Sequence, residues 1–386
     1  MGGDASSTPR AVAGERAILR SLAVRDFRNI ARLDLDVPPD GLVLVGENGH
    51  GKTNLLEAVH YLEVFRSARG ARDQDLVRFG AEAFHLSAAI TTDREHSVSA
   101  AFARTGKRKR VTLDGAVLER MSDALGALPS VMLSPADVEL VAGTPAVRRR
   151  YIDIVLALTS RQYLASLQRY RGALLRRNAA LRDAARTGGG ERAVTVWEAP
   201  LAEHGAVLWQ HRLAWAAEYG PRFAERCLAI GEHVPVALRY DPSLADAADL
   251  REALERALAD KRALDLRRGL THVGPHRDDL GLTIEGRDLR TFGSAGQQRT
   301  AAFALRILEA ETLRERRGRT PLFLLDDPFA ELDARRSSRI VELLASAGLG
   351  QTILAVPRES DIPADLPQLE RFRVQGGVVR PFAEAA

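Results

Sequence analysis

Eight residues, Gly46-Glu47-Asn48-Gly49-His50-Gly51-Lys52-Thr53, constrain this chain more than any other stretch. Their spacing, G-x-x-x-x-G-K-T, is that of a phosphate-binding loop (P-loop), which works only between a strand and a helix. The apolar run Leu42-Val43-Leu44-Val45 precedes it and the helix-prone Asn54-Leu55-Leu56-Glu57-Ala58-Val59 follows. The glycines let the backbone curl until its N–H groups converge on phosphate oxygens, and the helix N-terminus adds the positive end of its dipole. Lys52 is expected to reach the β- and γ-phosphates of ATP and Thr53 to ligate Mg²⁺. Residues 46–54 together form the expected nucleotide cradle. Lysine otherwise occurs only at 107, 109 and 261, arginine supplying the remaining positive charge. A lysine kept where a compact, flexible cation is needed strengthens the reading.

The rest of the chain reads as ordinary globular material. It has 386 residues, 45% hydrophobic and 27% charged, enough for two or three domains. A net charge of +4 allows a polyanionic partner without demanding one. Cys227 stands alone, so no disulfide framework forms within one chain, which suits a reducing cytosol. No stretch approaches the eighteen or so apolar residues of a membrane span. Residues 1–15 are small and polar and are expected to be a disordered tail.

Two alternating segments, Ile18 to Val24 and Ile30 to Val37, read as a β-ribbon leading into the P-loop strand. Phe84 to Ala103 alternates again, and Asp114-Gly115 marks a hairpin turn, so an antiparallel sheet is expected after the P-loop helix. From about Pro145 the period becomes helical. Two long helices broken by Thr187-Gly188-Gly189-Gly190 suggest an antiparallel hairpin, with a further helix over Asp246 to Arg268. Strand and helix then alternate from Leu280 to Val356, which implies a mostly parallel sheet. The expected division is a first half-head over 16–144, an inserted helical arm over 145–270 and a second half-head over 271–386. Neither half completes a sheet alone.

The second half carries its own chemistry. Leu322-Phe323-Leu324-Leu325-Asp326-Asp327 is an apolar strand ending in two acids, the Walker B arrangement. Asp326 is expected to hold Mg²⁺, directly or through water, and Asp327 to polarise the attacking water. The plainer alternative is a strand cap at Asp326-Asp327-Pro328.

Glu331-Leu332-Asp333 follows at the spacing of the D-loop of ABC-type ATPases, and Phe292-Gly293-Ser294-Ala295-Gly296-Gln297-Gln298-Arg299 resembles their signature motif. That resemblance implies a homodimer in which two P-loops face two signature loops across two ATPs. Ser294, Gly296, Gln297 and Asp333 would complete each nucleotide site, Ser294 with a catalytic share. The plainer reading of Ser294 is a helix cap.

A more specific resemblance runs from about Leu22 to Ala355. Arg25-Asp26-Phe27-Arg28-Asn29-Ile30, Thr53-Asn54-Leu55-Leu56-Glu57-Ala58, Phe65-Arg66-Ser67-Ala68-Arg69, Ser134-Pro135-Ala136-Asp137, Gly143 to Arg150, Arg176-Arg177-Asn178 and Gly274-Pro275-His276-Arg277-Asp278-Asp279-Leu280 together resemble the RecF family. The resemblance implies an α/β fold: an ABC-type P-loop ATPase head with an antiparallel β subdomain and an inserted helical arm. It implies a cytoplasmic, weak, DNA-stimulated ATPase of recombinational gap repair. Such a protein dimerises on ATP at single-strand/double-strand junctions, works with RecR and RecO to load RecA, and lets go on hydrolysis. Two departures bear on γ-phosphate sensing: Pro328-Phe329-Ala330 after Walker B is more transporter-like, and Pro357 follows the last strand where the family has Thr and transporters have His.

Lys107-Arg108-Lys109-Arg110 and Arg148-Arg149-Arg150 are the densest basic runs and candidates for phosphate contact with single-stranded or gapped DNA. The alternatives are a solvated hairpin tip and ion pairing at the base of the arm. His272 and His276 read as loop braces rather than metal ligands. A transporter ATPase subunit and a non-hydrolysing ATP-binding scaffold are the competing functions. The long helical insert and the missing switch residues weigh against the transporter; the intact acid pair weighs against the scaffold.

Overall fold

The computed structural model describes residues 15–242, 248–329, 334–346, 350–362, 366 and 369–382. In chain order the main elements are strands β1 (Ile18–Phe27), β2 (Ile30–Asp36) and β3 (Gly41–Val45), then helix α1 (Lys52–Val64). Strands β4 (Ala83–Thr91), β5 (Glu95–Ala103), β6 (Arg108–Leu113) and β7 (Ser130–Leu133) follow. Next come α2 (Pro145–Thr159), α3 (Arg161–Thr187), α4 (Glu198–Ile230), β8 (Val236–Asp241), α5 (Leu250–Arg268) and β9 (Asp279–Ile284). The chain closes with α6 (Ala295–Arg317), β10 (Leu322–Asp326), α7 (Ala334–Ser346), β11 (Thr352–Val356), β12 (Glu370–Gln375) and β13 (Val378–Pro381).

The central sheet has the order β13-β12-β3-β11-β10-β7, parallel throughout except at β13. It interleaves strands from both ends of the chain: Leu42 of β3 lies against Ile353 of β11, and Leu322 of β10 against Ser130 of β7. Because both faces of β3, β11, β10 and β7 are covered, these four strands are apolar runs rather than alternating ones. Alternation still divides them by face. Leu42, Leu44, Leu322, Leu324, Ile353 and Ala355 pack with α1 and the antiparallel sheet. Val43, Val45, Phe323, Leu325, Leu354 and Val356 pack with Ile307 and Leu313 of α6 and Ile340 and Leu344 of α7.

The antiparallel sheet runs β2-β1-β4-β5-β6 and ends in the two-residue strand Ala116–Val117. The turn into that last strand uses Asp114 and Gly115, both at positive φ (50° and 79°), as a two-residue hairpin requires. Phe27, Tyr61 and Phe84 meet edge to face, with centroids 5.2–6.1 Å apart, and fasten α1 to this sheet.

In the arm, α3 and α4 run antiparallel: Tyr163 meets His211 and Arg212, while Arg177 meets Glu198. The arm's core does not end at residue 270. It continues into Leu280, Leu282 and Ile284 of β9 and into Ala301, Leu305 and Leu308 of α6. A polar hub holds this junction. Arg212, itself buried, donates to Asp153 (2.7 Å), Tyr163, Tyr240 and the Pro275 carbonyl. Asp278 accepts from Tyr240 (2.7 Å) and Trp209. Residues 1–14 lie outside the described residues; Glu15, placed by sequence in the tail, pairs instead with Arg319 in a short parallel bridge.

Arg177 is fully buried and bound to Asp265 (2.7 Å), Thr271 (2.8 Å) and Glu198 (3.1 Å). Removing one partner of a buried pair leaves the other charge uncompensated. Arg177→Ala is expected to cost about 3–5 kcal/mol, read as a lower denaturant midpoint; a loss below about 1 kcal/mol contradicts this account of the arm.

Candidate nucleotide site

The P-loop links β3 to α1 and is shaped by contacts that demand glycine. A Cβ on Gly46 would lie 2.3 Å from the Val374 carbonyl oxygen of β12. Gly51 sits at φ +109°, and a Cβ there would meet Asn29 Oδ1 at 2.7 Å. Gly51 also caps α1 without any side-chain acceptor, and the first turn holds no acid. The leading N–H groups of α1 are therefore free of side-chain competition for an anion. Lys52 Nζ folds back onto the carbonyls of Gly46 and of Glu47 (3.0 Å). Burial pulls its pKa below the ordinary lysine value, while Asp326 and Asp327 oppose that shift.

Walker B arrives on β10. Thr53 Oγ1 donates to both carboxylate oxygens of Asp326, at 2.8 and 3.0 Å. A hydroxyl and a carboxylate so paired are hard oxygen donors of the kind Mg²⁺ takes, usually with waters and substrate phosphates filling the remaining positions. They fit the ion. Asp327 stands at φ +45°, its N–H fixed by the Ala355 carbonyl at 2.8 Å. Its side chain is half-buried. Burial raises its pKa, and Asp361 raises it further. The segment after β11 thus brings an acid towards Asp327, where the sequence showed only a missing histidine. A small pocket between Asp327 and α6 is lined by Ser134, Pro135, Arg299 and Arg306, and Arg306 bridges Asp137 (2.6 Å) and Glu309 (2.7 Å).

Ser294 caps α6 in a reciprocal box with Gln297: Gln297 N–H donates to Ser294 Oγ (3.3 Å) and Ser294 N–H to Gln297 Oε1 (2.9 Å). Gln298 braces the same loop through the carbonyls of Arg290 (3.0 Å) and Gly293 (3.3 Å). A Cβ on Gly296 would lie 2.7 Å from Arg336 Nη1. Ser294 is exposed, and these bonds stay within its own loop. Asp333 lies outside the described residues.

Known proteins resemble this chain along its length. The family model for the RecF/RecN/SMC N-terminal domain matches residues 18–361. The DNA replication and repair protein RecF of Frankia alni is 37% identical over 377 residues, covering 94% of this chain and 99% of that protein. Its namesake from Anaeromyxobacter sp. is 37% identical over 371 residues, again covering 94% and 99%. The chain belongs to the RecF family. The solved structure of the recombination mediator protein RecF with ATP, in the RecFOR pathway, superposes with a TM-score of 0.88 at 29% identity, over 97% of this chain and all of that one. The Smc head domain of Pyrococcus furiosus shares the fold with a TM-score of 0.55 at 15% identity, over 95% of this chain and 96% of that one. The fold is thus an ABC-type ATPase head.

Charge density points to two basic runs for DNA, and the structure places three of their side chains inside the fold. Lys107, Arg108 and Arg110 are exposed, but Lys109 points inward. Its ammonium bonds the Phe65 carbonyl and Asp73 (3.1 Å) and lies 4.7 Å from the Tyr61 ring centre. Arg148 is buried and forms a forked pair with Asp279 (2.7 and 2.8 Å) plus bonds to the carbonyls of Val141 and Gly143. Arg149 is half-buried and donates to the Asp278 carbonyl at 2.6 Å. These three arginine and lysine side chains are internal struts, because each has a carbonyl or carboxylate to satisfy inside the fold. His276 is a brace: its ring nitrogens meet Tyr170 OH (2.7 Å) and the Thr271 carbonyl (3.1 Å), and burial pushes it down to about 4. His272 bonds Asp265 at 2.7 Å.

Asp326 holds its proton above the ordinary carboxylate range, burial outweighing Thr53 and Lys52. A carboxyl raised in the folded state adds stability below its unfolded pKa and loses it as pH rises through the folded value. Burial disfavours the ionised carboxylate in the ligand-free fold. Asp326→Asn is expected to raise the ligand-free melting temperature at pH 7 and to abolish the rise given by MgATP. A lower ligand-free midpoint, or an intact MgATP shift, contradicts this.

Proposed function

We propose that the chain is an ATP-dependent DNA clamp of recombinational gap repair. MgATP sits on residues 46–54 with Asp326, and the signature loop of a second copy, through Ser294, Gly296 and Gln297, closes over the γ-phosphate, Asp333 being added by the D-loop resemblance alone. The observation that carries the reading is the bond between Thr53 and Asp326, 273 residues apart in sequence, which sets both halves of an ATPase centre against one lysine. Lys52 neutralises charge developing on the transferred phosphoryl group. Asp327 orients water for attack, its backbone held against β11. Thr53 and Asp326 would hold Mg²⁺, which would supply positive charge to offset that of the phosphate oxygens. Hydrolysis then serves as a switch that opens the dimer.

Lys107, Arg108 and Arg110 are the exposed cations proposed for DNA phosphates, in single-stranded or gapped duplex form. RecR is the proposed direct partner, with RecO and RecA acting downstream, in the cytoplasm. The arm, residues 145–270, is proposed as the short counterpart of a coiled coil. A non-hydrolysing scaffold is the second reading, favoured by Pro357, which follows β11 in place of a γ-phosphate-sensing side chain.

Asp327→Asn is expected to accumulate an ATP-bound dimer on size-exclusion chromatography with light scattering. Ser294→Arg is expected to bind ATP yet stay monomeric. An ATP-dependent dimer that persists in Ser294→Arg contradicts the composite site. Replacing Lys107, Arg108 and Arg110 together with alanine is expected to weaken binding to gapped DNA and flatten the dependence of log affinity on log salt by about 2. An unchanged slope removes them from the DNA interface.

A further inference from the structure

One fully buried carboxylate lies behind the P-loop, and the mechanism above does not use it. Glu57 sits on α1, one turn beyond Thr53, with no exposed surface. Its Oε2 accepts from Arg28 Nε at 3.0 Å and from Arg69, and its Oε1 accepts from Arg28 Nη2 at 3.3 Å and Ser67 Oγ at 2.6 Å. With both oxygens so occupied, Glu57 has nothing left for a ligand. What it holds does. Arg28 and Arg69, with Asn29 and Asn54, line an open cleft on the flank of the P-loop. Arg69 donates to Asn54 Oδ1 (2.6 Å), and Asn54 donates to Asn29 Oδ1 (2.8 Å), the side chain that presses on Gly51. Through Asn29 the cleft borders the P-loop at Gly51.

The charge arithmetic explains the arrangement. Two guanidiniums side by side repel unless an anion sits between them, and because Arg104 and Asp75 also line the cleft, three arginines against Glu57 and Asp75 leave a net positive charge there. That surplus suits the nucleotide's anionic end. The loop carrying Ser67 and Arg69 is itself anchored elsewhere: Ser67 Oγ accepts from Arg69 N–H at 3.1 Å, and Arg150 at the arm's first helix donates to the Ser67 carbonyl at 3.0 Å. Arg150 thus has a role for the third member of the basic run whose other two members are struts.

The geometry assigns Glu57 as a positioning residue for nucleotide binding: with Ser67 it fixes Arg28 and Arg69 at the cleft beside the P-loop, and Arg150 ties that hub to the base of the arm. This rests on the P-loop holding ATP, as proposed above. A residue that acts through another loses its effect once the other is gone, whereas a merely structural residue does not.

The test is a double-mutant cycle on the full chain, titrated with a fluorescent N-methylanthraniloyl ATP and Mg²⁺. Glu57→Gln, which keeps the shape and removes the charge, is expected to weaken binding about tenfold in the parent and less than about threefold in Arg69→Ala. Ser67→Ala gives the same comparison with a smaller disturbance of folding, about threefold in the parent and none in Arg69→Ala. Equal losses in both backgrounds, or no loss in the parent, overturn the positioning role while leaving the nucleotide site standing. A parent chain that does not bind the analogue overturns the nucleotide reading and this role with it.

Discussion

Everything in this structure that bears on nucleotide chemistry depends on one parallel ladder. β3 and β10 come from opposite ends of the chain, and β11 lies between them, pairing with each. That register brings the last residue of β10, Asp326, level with the first turn of α1 and lets Thr53 reach it. Without the ladder, the P-loop would be a glycine-rich turn and Walker B a capped strand. Gly41 marks how tight the pairing is: it sits at φ +107°, where a Cβ would lie 1.8 Å from the Thr352 carbonyl oxygen.

The arm is joined to this head by charge as much as by packing. The motif Gly274 to Leu280, distinctive in sequence, is a structural junction. Arg212 takes the Pro275 carbonyl, Asp278 takes Trp209 and Tyr240, and Asp279 takes Arg148. Buried ionic groups of this kind are costly to desolvate and are weak evidence of stability. Their directional bonds do fix how helices meet, and α6, capped by Ser294, shares the arm's apolar core. The helix α6 and the arm are thus parts of one packed unit.

Much of this was legible in the residues. The P-loop, the acid-ended strand and the signature loop are local patterns whose chemistry dictates their spacing. Two of the three internal struts are legible as well, from the periodicity of the charges. Lys109 shares the inward face of β6 with Val111, two residues on, and Arg148 shares the buried face of α2 with Tyr151, Ile152 and Val155. Density of charge was the wrong signal; phase within the element was the right one. Other features left no local trace. β7 is four residues long, too short to show a period, and is fixed by Leu322 to Leu325 nearly two hundred residues away. The hairpin β12–β13 is fixed on β3 in the same way. The Glu57 hub joins residues from three separate stretches, so no run of sequence displays it.

The central claim is that two copies of this chain build their ATPase centres together and respond to DNA. The most direct measurement is the specific ATP turnover rate of the purified chain against its own concentration, with and without gapped DNA. A composite site predicts a specific rate that climbs with protein concentration before saturating, and climbs further with DNA. A specific rate flat in both, or no turnover at any concentration, contradicts it.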